Sequence, residues 1–484
     1  MSSPLNPNGI PNNLSDALVF FGATGDLAYK QIFPALQALI RQGHLNMPII
    51  GVAKSGWSIE QLRARARDSL EHHGGLDQNA FDKLSSLLRY VDGDYADDRT
   101  YNSLKKELGQ AKCPLHYLAI PPSAFPEVIK GLEKSGCAKN ARVALEKPFG
   151  HNLASSRALN DTLHQAFPES SIFRIDHFLG KEPVLNLLYF RFSNLLGETV
   201  LNRDHVDNVQ ITMAESFGVQ GRGKFYDENG AIRDVIQNHI LQLTAILAMD
   251  DPVGQDVEAI RDEKARVLKA ITPIDPNHIV RGQFRGYLDE SGVAPDSTVE
   301  TFAAVALNIE TSRWAGVPFL IRAGKCLSVD AIEIRVQLKR PPRDIYHEHA
   351  PSTEYFRFRI GPDVTALALG MRVKIPGEAM VGRDVELLAS EDQAHDMLPY
   401  QRLLGDAMRG DASLFAREDA IEEQWRIVDP VLDMPTTPYI YEPGTWGPEE
   451  ADRLVAGVSG GWHKPIDSPK DSPKDSNDKL RRAA

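Results

Sequence analysis

The sequence predicts two fold classes in one chain, α/β followed by α+β: an N-terminal doubly wound parallel sheet, then a larger domain with a big, mainly antiparallel sheet and helices. Three observations predict this. The chain has 484 residues, more than one hydrophobic core usually organises. Strand candidates before about residue 180 are continuous apolar runs separated by helical patterns. Those beyond about residue 200 alternate with a period of two. The expected division is a flexible N-terminus (1–16), an α/β unit (17–180), an α+β unit (181–464) and a disordered tail (465–484).

Ala17-Leu-Val-Phe-Phe21 is apolar throughout, as a strand buried on both faces must be, and helical sequence follows it to Leu39. Pro48-Ile-Ile-Gly-Val-Ala53 reads as a second buried strand, with helices expected over 58–72 and 78–88. Leu115–Ile120 and Val143–Leu145 are further short strands, and the alternation of strand and helix implies a parallel sheet. In the second half Val209, Ile211 and Met213 alternate with polar residues. So do Ile332, Ile334, Val336 and Leu338, then Phe356, Phe358 and Ile360, then Met371, Val373 and Ile375. One apolar and one charged face per strand predicts antiparallel pairing, with one side covered and one wet or facing another subunit. The final residues repeat Ser-Pro-Lys-Asp and carry almost no apolar side chain, hence the expected disorder.

The composition, 42% hydrophobic and 25% charged, is that of an ordinary globular enzyme. A net charge of −12 argues against a broad nucleic-acid or membrane surface, so a site for an anionic ligand must be local. Cys113, Cys137 and Cys326 are too few and too dispersed for a zinc knuckle or disulfide framework. The first residues lack the charge and apolar core of a signal peptide, and no apolar run approaches the ~20 residues that cross a bilayer. The expectation is a soluble, cytoplasmic protein with no membrane or nucleic-acid partner.

Four segments carry chemistry. Gly22-Ala23-Thr24-Gly25-Asp26-Leu27 joins the first strand to the first helix, where backbone N–H groups and a helix N-terminus can face a pyrophosphate, a variant of the Rossmann fingerprint. A plain tight turn would read similarly. Glu146-Lys147-Pro148-Phe149-Gly150 follows a strand, so Lys147 lies at the carboxyl edge of the sheet, where ligands of such sheets bind. Arg174-Ile-Asp-His-Phe-Leu-Gly-Lys-Glu182 sets Asp176, His177 and Lys181 close together. Asp with His handles a proton, and His with Lys holds an anion, although a solvated turn has the same composition. Ile232, Val235, His239 and Ile246 share a helical stripe; a stripe histidine is ordinarily a hydrogen-bonded core residue, but beside a carboxylate it becomes a general base. Asp176 is the candidate carboxylate, and only the fold can join the two. Arg322-Ala-Gly-Lys325 ends an apolar run with two cations. His347-Glu348-His349 lacks zinc-ligand spacing, and no metal is expected.

Together GATGDLAYKQIFPAL (22–36), EKPFG (146–150), RIDHFLGKE (174–182), ESFGVQGRGKFYDENGAIRDVIQNH (215–239), RAGK (322–325) and DAMRGDASLF…WRIVDP (406–430) resemble the glucose-6-phosphate 1-dehydrogenase family over nearly the whole chain. The resemblance implies oxidation of D-glucose 6-phosphate at C1 to the lactone, the first, oxidative step of the pentose phosphate pathway, by a homodimer or homotetramer. It implies His239 as the base and Asp176 as its orienting carboxylate. His177 and Lys181 would hold the phosphate and sugar, with Glu215, Asp234 and Lys325 as further substrate contacts and Lys147 between substrate and coenzyme. Three positions depart from the family: Phe178 stands where tyrosine is usual, Gln31 replaces a lysine, and Asp330 replaces a basic residue. Each weakens anion binding and leaves open another sugar or sugar phosphate as substrate. A catalytically silent coenzyme-binding scaffold is the rival from another class, and the presence of both Asp176 and His239 argues against it.

At the end of the second strand the chain has Lys54-Ser55, with no acid until Glu60. Lysine there attracts a 2′-phosphate and serine can donate to it, which predicts NADP over NAD, with measurable NAD use because lysine lacks arginine's planar fork.

Overall fold

The structure, a computed structural model, describes residues 14–254, 256–343, 345–346, 354–361, 364–392 and 397–466. The proline- and asparagine-rich start, the His347–His349 cluster and the Ser-Pro-Lys-Asp repeats lie outside the described residues.

The N-terminal half forms a six-stranded, wholly parallel sheet. Its strands are β1 (Leu18–Phe21), β2 (Ile49–Ala53), β3 (Leu88–Asp92), β4 (Leu115–Leu118), β5 (Arg142–Glu146) and β6 (Ile172–Ile175), in the order β3-β2-β1-β4-β5-β6. That order reverses between β1 and β4, the switch point at which ligands of doubly wound sheets bind. Val19, Phe21, Val52, Leu118 and Val143 face one buried layer, and Leu18, Phe20, Ile49, Tyr117 and Ala144 the other. Burial on both sides is why β1 and β2 read as unbroken apolar runs.

A nine-stranded mixed sheet makes up the second half. Its strands are β7 (Val206–Ala214), β8 (Ile279–Phe284), β9 (Phe302–Leu307), β10 (Phe319–Gly324), β11 (Ala331–Leu338), β12 (Tyr355–Gly361), β13 (Val364–Lys374), β14 (Gly382–Asp392) and β15 (Tyr439–Tyr441). They lie in the order β14-β13-β12-β11-β7-β10-β9-β8-β15. All pairings are antiparallel except β7 with β10 and β8 with β15. Among the described residues no helix is long and apolar enough to cross a membrane.

Two expectations about this sheet need correction. The polar face of its central strands is not wet: Gln210, Thr212 and Glu333 are buried beneath the C-terminal segment. There His463 Nε2 meets Glu333 Oε1 at 2.7 Å, Gln210 Nε2 donates to the Gly461 carbonyl, and Trp462 packs into the cluster that includes Phe302 and Tyr441. Conversely, Val373 and Ile375, assigned to a covered face, are exposed, as are Leu387 and Leu388 on the edge strand. Period two records that the faces differ; which one is covered depends on chain from elsewhere.

The helix Pro399–Arg409, late in sequence, packs on the first sheet. Leu403, Leu404 and Met408 join Leu18, Phe20 and Phe173 in one cluster. The Ser15 N–H and Arg142 Nη1 both donate to the Met408 carbonyl, at 2.8 and 3.1 Å.

Candidate active site

Four strand ends and one irregular helix build a cavity of about 890 Å³ between the two sheets. Glu146 pairs with Ile175 across β5 and β6, so Glu146-Lys147 and Asp176-His177 leave the sheet side by side. In the second sheet Ala214 pairs with Gly324, which places Glu215 next to Lys325; their side chains form an ion pair. The remaining wall is Ile232–Ile240, a π-helix flanked by the helices Gly223–Ala231 and Leu241–Ala248. The expectation of regular α-helical spacing fails here, with consequence. Five residues are about 140° apart on an α-helix but one i→i+5 step in a π-helix. Asp234 and His239, five apart, therefore face the same cavity.

Asp176 and His239 meet despite their separation in sequence. Asp176 Oδ1 lies 2.6 Å from His239 Nδ1 and accepts the Phe178 N–H at 3.0 Å. Among the described residues, the buried Asp176 Oδ2 has no hydrogen-bond partner. Both side chains are almost fully buried. Burial alone would raise the Asp176 pKa, but the attraction and hydrogen bond of His239 overcome it and hold the carboxyl well below the usual range. Burial dominates at His239 and lowers its pKa, with Asp176 pulling the other way. The imidazole is thus neutral near pH 7, with Nδ1 towards Asp176 and Nε2 left for the cavity.

The other predicted residues arrive with partners of their own. Lys147 Nζ contacts Asp234 Oδ1 at 3.0 Å and the Asp234 carbonyl at 2.7 Å. Lys181 Nζ lies 4.0 Å from the centre of the Phe178 ring, and that ring stacks on His239 at 4.2 Å and 21°. Phe178, read in sequence as a lost hydroxyl, is thus the spacer between an ammonium group and an imidazole. His177 is not a cation here: burial, together with His239, Lys147 and Lys181, drives its pKa to about 3. It offers a hydrogen bond, not a charge, to the first anion that arrives. Asp330, expected to weaken anion binding, accepts the Ser216 N–H and hydroxyl at 2.7 and 2.8 Å and so fixes the backbone beside Glu215.

Sequence reasoning missed Tyr117, Tyr400 and Glu146. Tyr117 Oη donates to Glu146 Oε1 at 2.6 Å, Tyr400 is a second side-chain partner of that carboxyl, and Glu146 and Tyr400 line the cavity. Tyr400 carries no motif of its own, and only its position on a helix borrowed by the first sheet reveals it.

The coenzyme candidates divide. Gly25, Asp26 and Leu27 line the cavity. Gly22 has φ +82°, and a Cβ there would stand 2.1 Å from the Ala119 carbonyl oxygen, so only glycine lets the turn approach the end of β4. Ala23 is buried under the turn, and Thr24 Oγ1 lies 2.8 Å from Ser55 Oγ. These features and the switch point fit a dinucleotide. The absence of a nearby acid does not hold in space. Asp92 and Asp94 come from the end of β3: Asp92 Oδ1 accepts the Ser55 and Gly56 N–H groups at 3.0 and 2.8 Å, and Asp94 Oδ2 meets Lys54 Nζ at 2.5 Å. The Lys54 pKa is raised by this partner.

Among the described residues, Asp176, His177 and His239 offer donor atoms within 4.8 Å of one another, as do His164, Glu169 and Glu418. In the first group the Asp176–His239 contact occupies the ligand atoms and ammonium groups stand close by. In the second, Glu169 is already bonded to Arg174 Nη1 at 2.7 Å.

Residues 19–186 match the family model described as glucose-6-phosphate dehydrogenase, NAD binding domain, and residues 188–463 match the one described as glucose-6-phosphate dehydrogenase, C-terminal domain. Among curated proteins, glucose-6-phosphate 1-dehydrogenase 1 of Mycobacterium tuberculosis is 44% identical over 456 residues, covering 93% of this chain and 97% of that one. The cytoplasmic glucose-6-phosphate 1-dehydrogenase 6 of Arabidopsis thaliana is 39% identical, with 92% of each covered. The crystal structure of the enzyme from Mycobacterium avium superposes with a TM-score of 0.88 at 45% identity, covering 94% of this chain and 99% of that one. A glucose-6-phosphate dehydrogenase in complex with its substrate glucose 6-phosphate superposes at 0.86 and 36% identity, with coverages of 94% and 100%.

Proposed function

The chain belongs to the glucose-6-phosphate dehydrogenase family, and on that premise we propose that it oxidises D-glucose 6-phosphate at C1 to 6-phospho-D-glucono-1,5-lactone, with NADP preferred to NAD as acceptor. This is the first, oxidative step of the pentose phosphate pathway. The observation that carries the reading is the buried Asp176–His239 pair, 2.6 Å apart, in a cavity that also holds Lys147, Lys181 and Lys325.

Oxidising a hemiacetal needs a base at the C1 hydroxyl and a firm grip on the rest of the sugar. His239 Nε2 is that base, and Asp176 orients the ring and stabilises the imidazolium as it forms. The coenzyme, held by Gly22–Leu27 and by Lys54 and Ser55, supplies the hydride acceptor when bound. Lys181 and His177 receive the phosphate, the lysine as a charge and the histidine as a donor. Glu215, Asp234 and Lys325 bind sugar hydroxyls. Lys147, tethered by Asp234, stands between sugar and coenzyme. Exposed Val373, Ile375, Leu387 and Leu388 support a homo-oligomer closed by β13 and β14, which light scattering of the purified protein checks.

The decisive experiment is coenzyme reduction by the purified protein with glucose 6-phosphate, glucose and other hexose phosphates, using NADP and NAD in turn. Strong preference for glucose 6-phosphate is expected. No reduction with it, or equal use of free glucose, overturns the proposal.

A further inference from the structure

We propose that Glu146 senses the redox state of the bound coenzyme: its carboxylate favours the oxidised form, whose nicotinamide ring is cationic, over the neutral reduced form. The proposal rests on reading the cavity as a nicotinamide-coenzyme site and adds a residue to which that reading gives no role.

Position is the first argument. Glu146 ends β5, beyond the switch point from the turn Gly22–Leu27. A dinucleotide whose pyrophosphate lies on that turn extends its second half over the carboxyl ends of β4 and β5. Ala119 and Pro121, at the end of β4, line the same cavity as Glu146.

Restraint is the second. Tyr117, from the middle of the sheet, donates to Glu146 Oε1 at 2.6 Å and fixes its place on the wall, and Tyr400, from the helix Pro399–Arg409, stands beside the same carboxyl and stabilises its ionised form. Tyr400 is itself set nearly parallel to the His177 ring, at 6.4 Å and 10°.

Unmatched charge is the third. The ammonium group nearest in sequence, that of Lys147, is committed to Asp234. Among the described residues no lysine or arginine forms an ion pair with Glu146. A carboxylate that lacks an ion-pair partner in a half-enclosed cavity attracts whatever cation enters it.

The titratable groups facing Glu146 are Tyr117, Tyr400, Lys147 and Asp176. Burial pushes its pKa up to about 7, against the two phenols and Lys147, which pull it down. Ionisation favours the cationic ring. The ratio of oxidised- to reduced-coenzyme affinity should therefore rise as pH increases through 7 and level off above it. Both coenzyme forms share the same phosphates, so phosphate titration cancels from the ratio.

The test needs no turnover. Reduced coenzyme is bound to the full-length protein and followed by its fluorescence, then displaced by oxidised coenzyme, without sugar, between about pH 5.5 and 8.5. In wild type the affinity ratio should rise on the order of tenfold. Glu146→Gln should keep a low, flat ratio. Tyr400→Phe removes a hydroxyl that lowers the carboxyl's pKa, so the rise should persist but move to higher pH, and this variant decides the matter if Glu146→Gln does not fold. A flat wild-type ratio, an unshifted rise in Tyr400→Phe, or a wild-type rise in Glu146→Gln overturns the proposal. If neither coenzyme form binds wild type, the coenzyme reading itself falls.

Discussion

At the scale of residues, the environment of each histidine assigns its task more sharply than its identity does. His239 is buried and His177 half-buried, both with depressed pKa values, but of the two only His239 touches a carboxylate. His239→Asn should lower turnover by roughly 10²–10⁴-fold with little effect on sugar binding; near-normal steady-state turnover would exclude it as the base. The base must be neutral, so activity is lost as pH falls through the His239 pKa. Because that pKa is depressed, the acid limb of kcat/KM should lie below the ordinary histidine range. Asp176 raises the His239 pKa, so Asp176→Asn should move that limb to still lower pH while reducing kcat, and an upward shift would contradict the pairing. Among the described residues Lys181 has no carboxylate in contact and sits over the Phe178 ring, and its pKa is lowered chiefly by burial. Lys181→Ala should raise the Michaelis constant for glucose 6-phosphate by more than it lowers kcat. Phe178→Tyr restores a phenol beside the ammonium and should lower the constant modestly. A change confined to kcat in either variant would remove them from the phosphate pocket.

At the scale of elements, legibility followed burial. β1 and β2 announced themselves because both faces are covered. β6 did not, since Arg174 interrupts its apolar run, although that arginine is fully buried and neutralised by Glu169 while Asn160 also bonds it. β3 follows the helix Gln78–Leu87 without a breaking residue, and its polar Arg89 and Asp92 hid it. The motifs exposed nearly every predicted site residue, yet the pairing of Asp176 with His239 required the π-helix and the neighbouring ends of β5 and β6. The same gap affected coenzyme choice: Lys54 was visible at the end of β2, whereas its partner Asp94 belongs to the end of β3. That pairing leaves less of the lysine's charge for a 2′-phosphate. Specificity constants should show a modest NADP preference in wild type. Lys54→Ala should reduce it, and Asp94→Asn, which frees the lysine, should increase it roughly two- to fivefold. Identical NADP/NAD ratios in all three proteins would show that neither side chain selects the coenzyme.

At the scale of the whole molecule, the two sheets are not independent bodies joined by a linker. The helix Pro399–Arg409 and the residues after it complete the first sheet's core: Leu404 is fully buried among its strands, and Phe415 meets Phe173 edge-on at 5.0 Å. The same helix carries Tyr400 to Glu146, so the first sheet's packing and the cavity wall depend on one late segment. Leu404→Ala leaves a cavity in that shared core and should cost about 2–5 kcal/mol. Coenzyme affinity should fall with it, although Leu404 does not line the cavity. A fragment comprising residues 14–200 would expose the apolar surface that Leu403, Leu404, Met408 and Phe415 cover. It should therefore lack a cooperative thermal transition and bind neither coenzyme. Far-UV circular dichroism on heating, with coenzyme titration of the same sample, measures both. A fragment that melts sharply and binds coenzyme with wild-type affinity would show that the first sheet folds without its late helix. In that case the link from Leu404 through Tyr400 to the site would be a contact without energetic consequence.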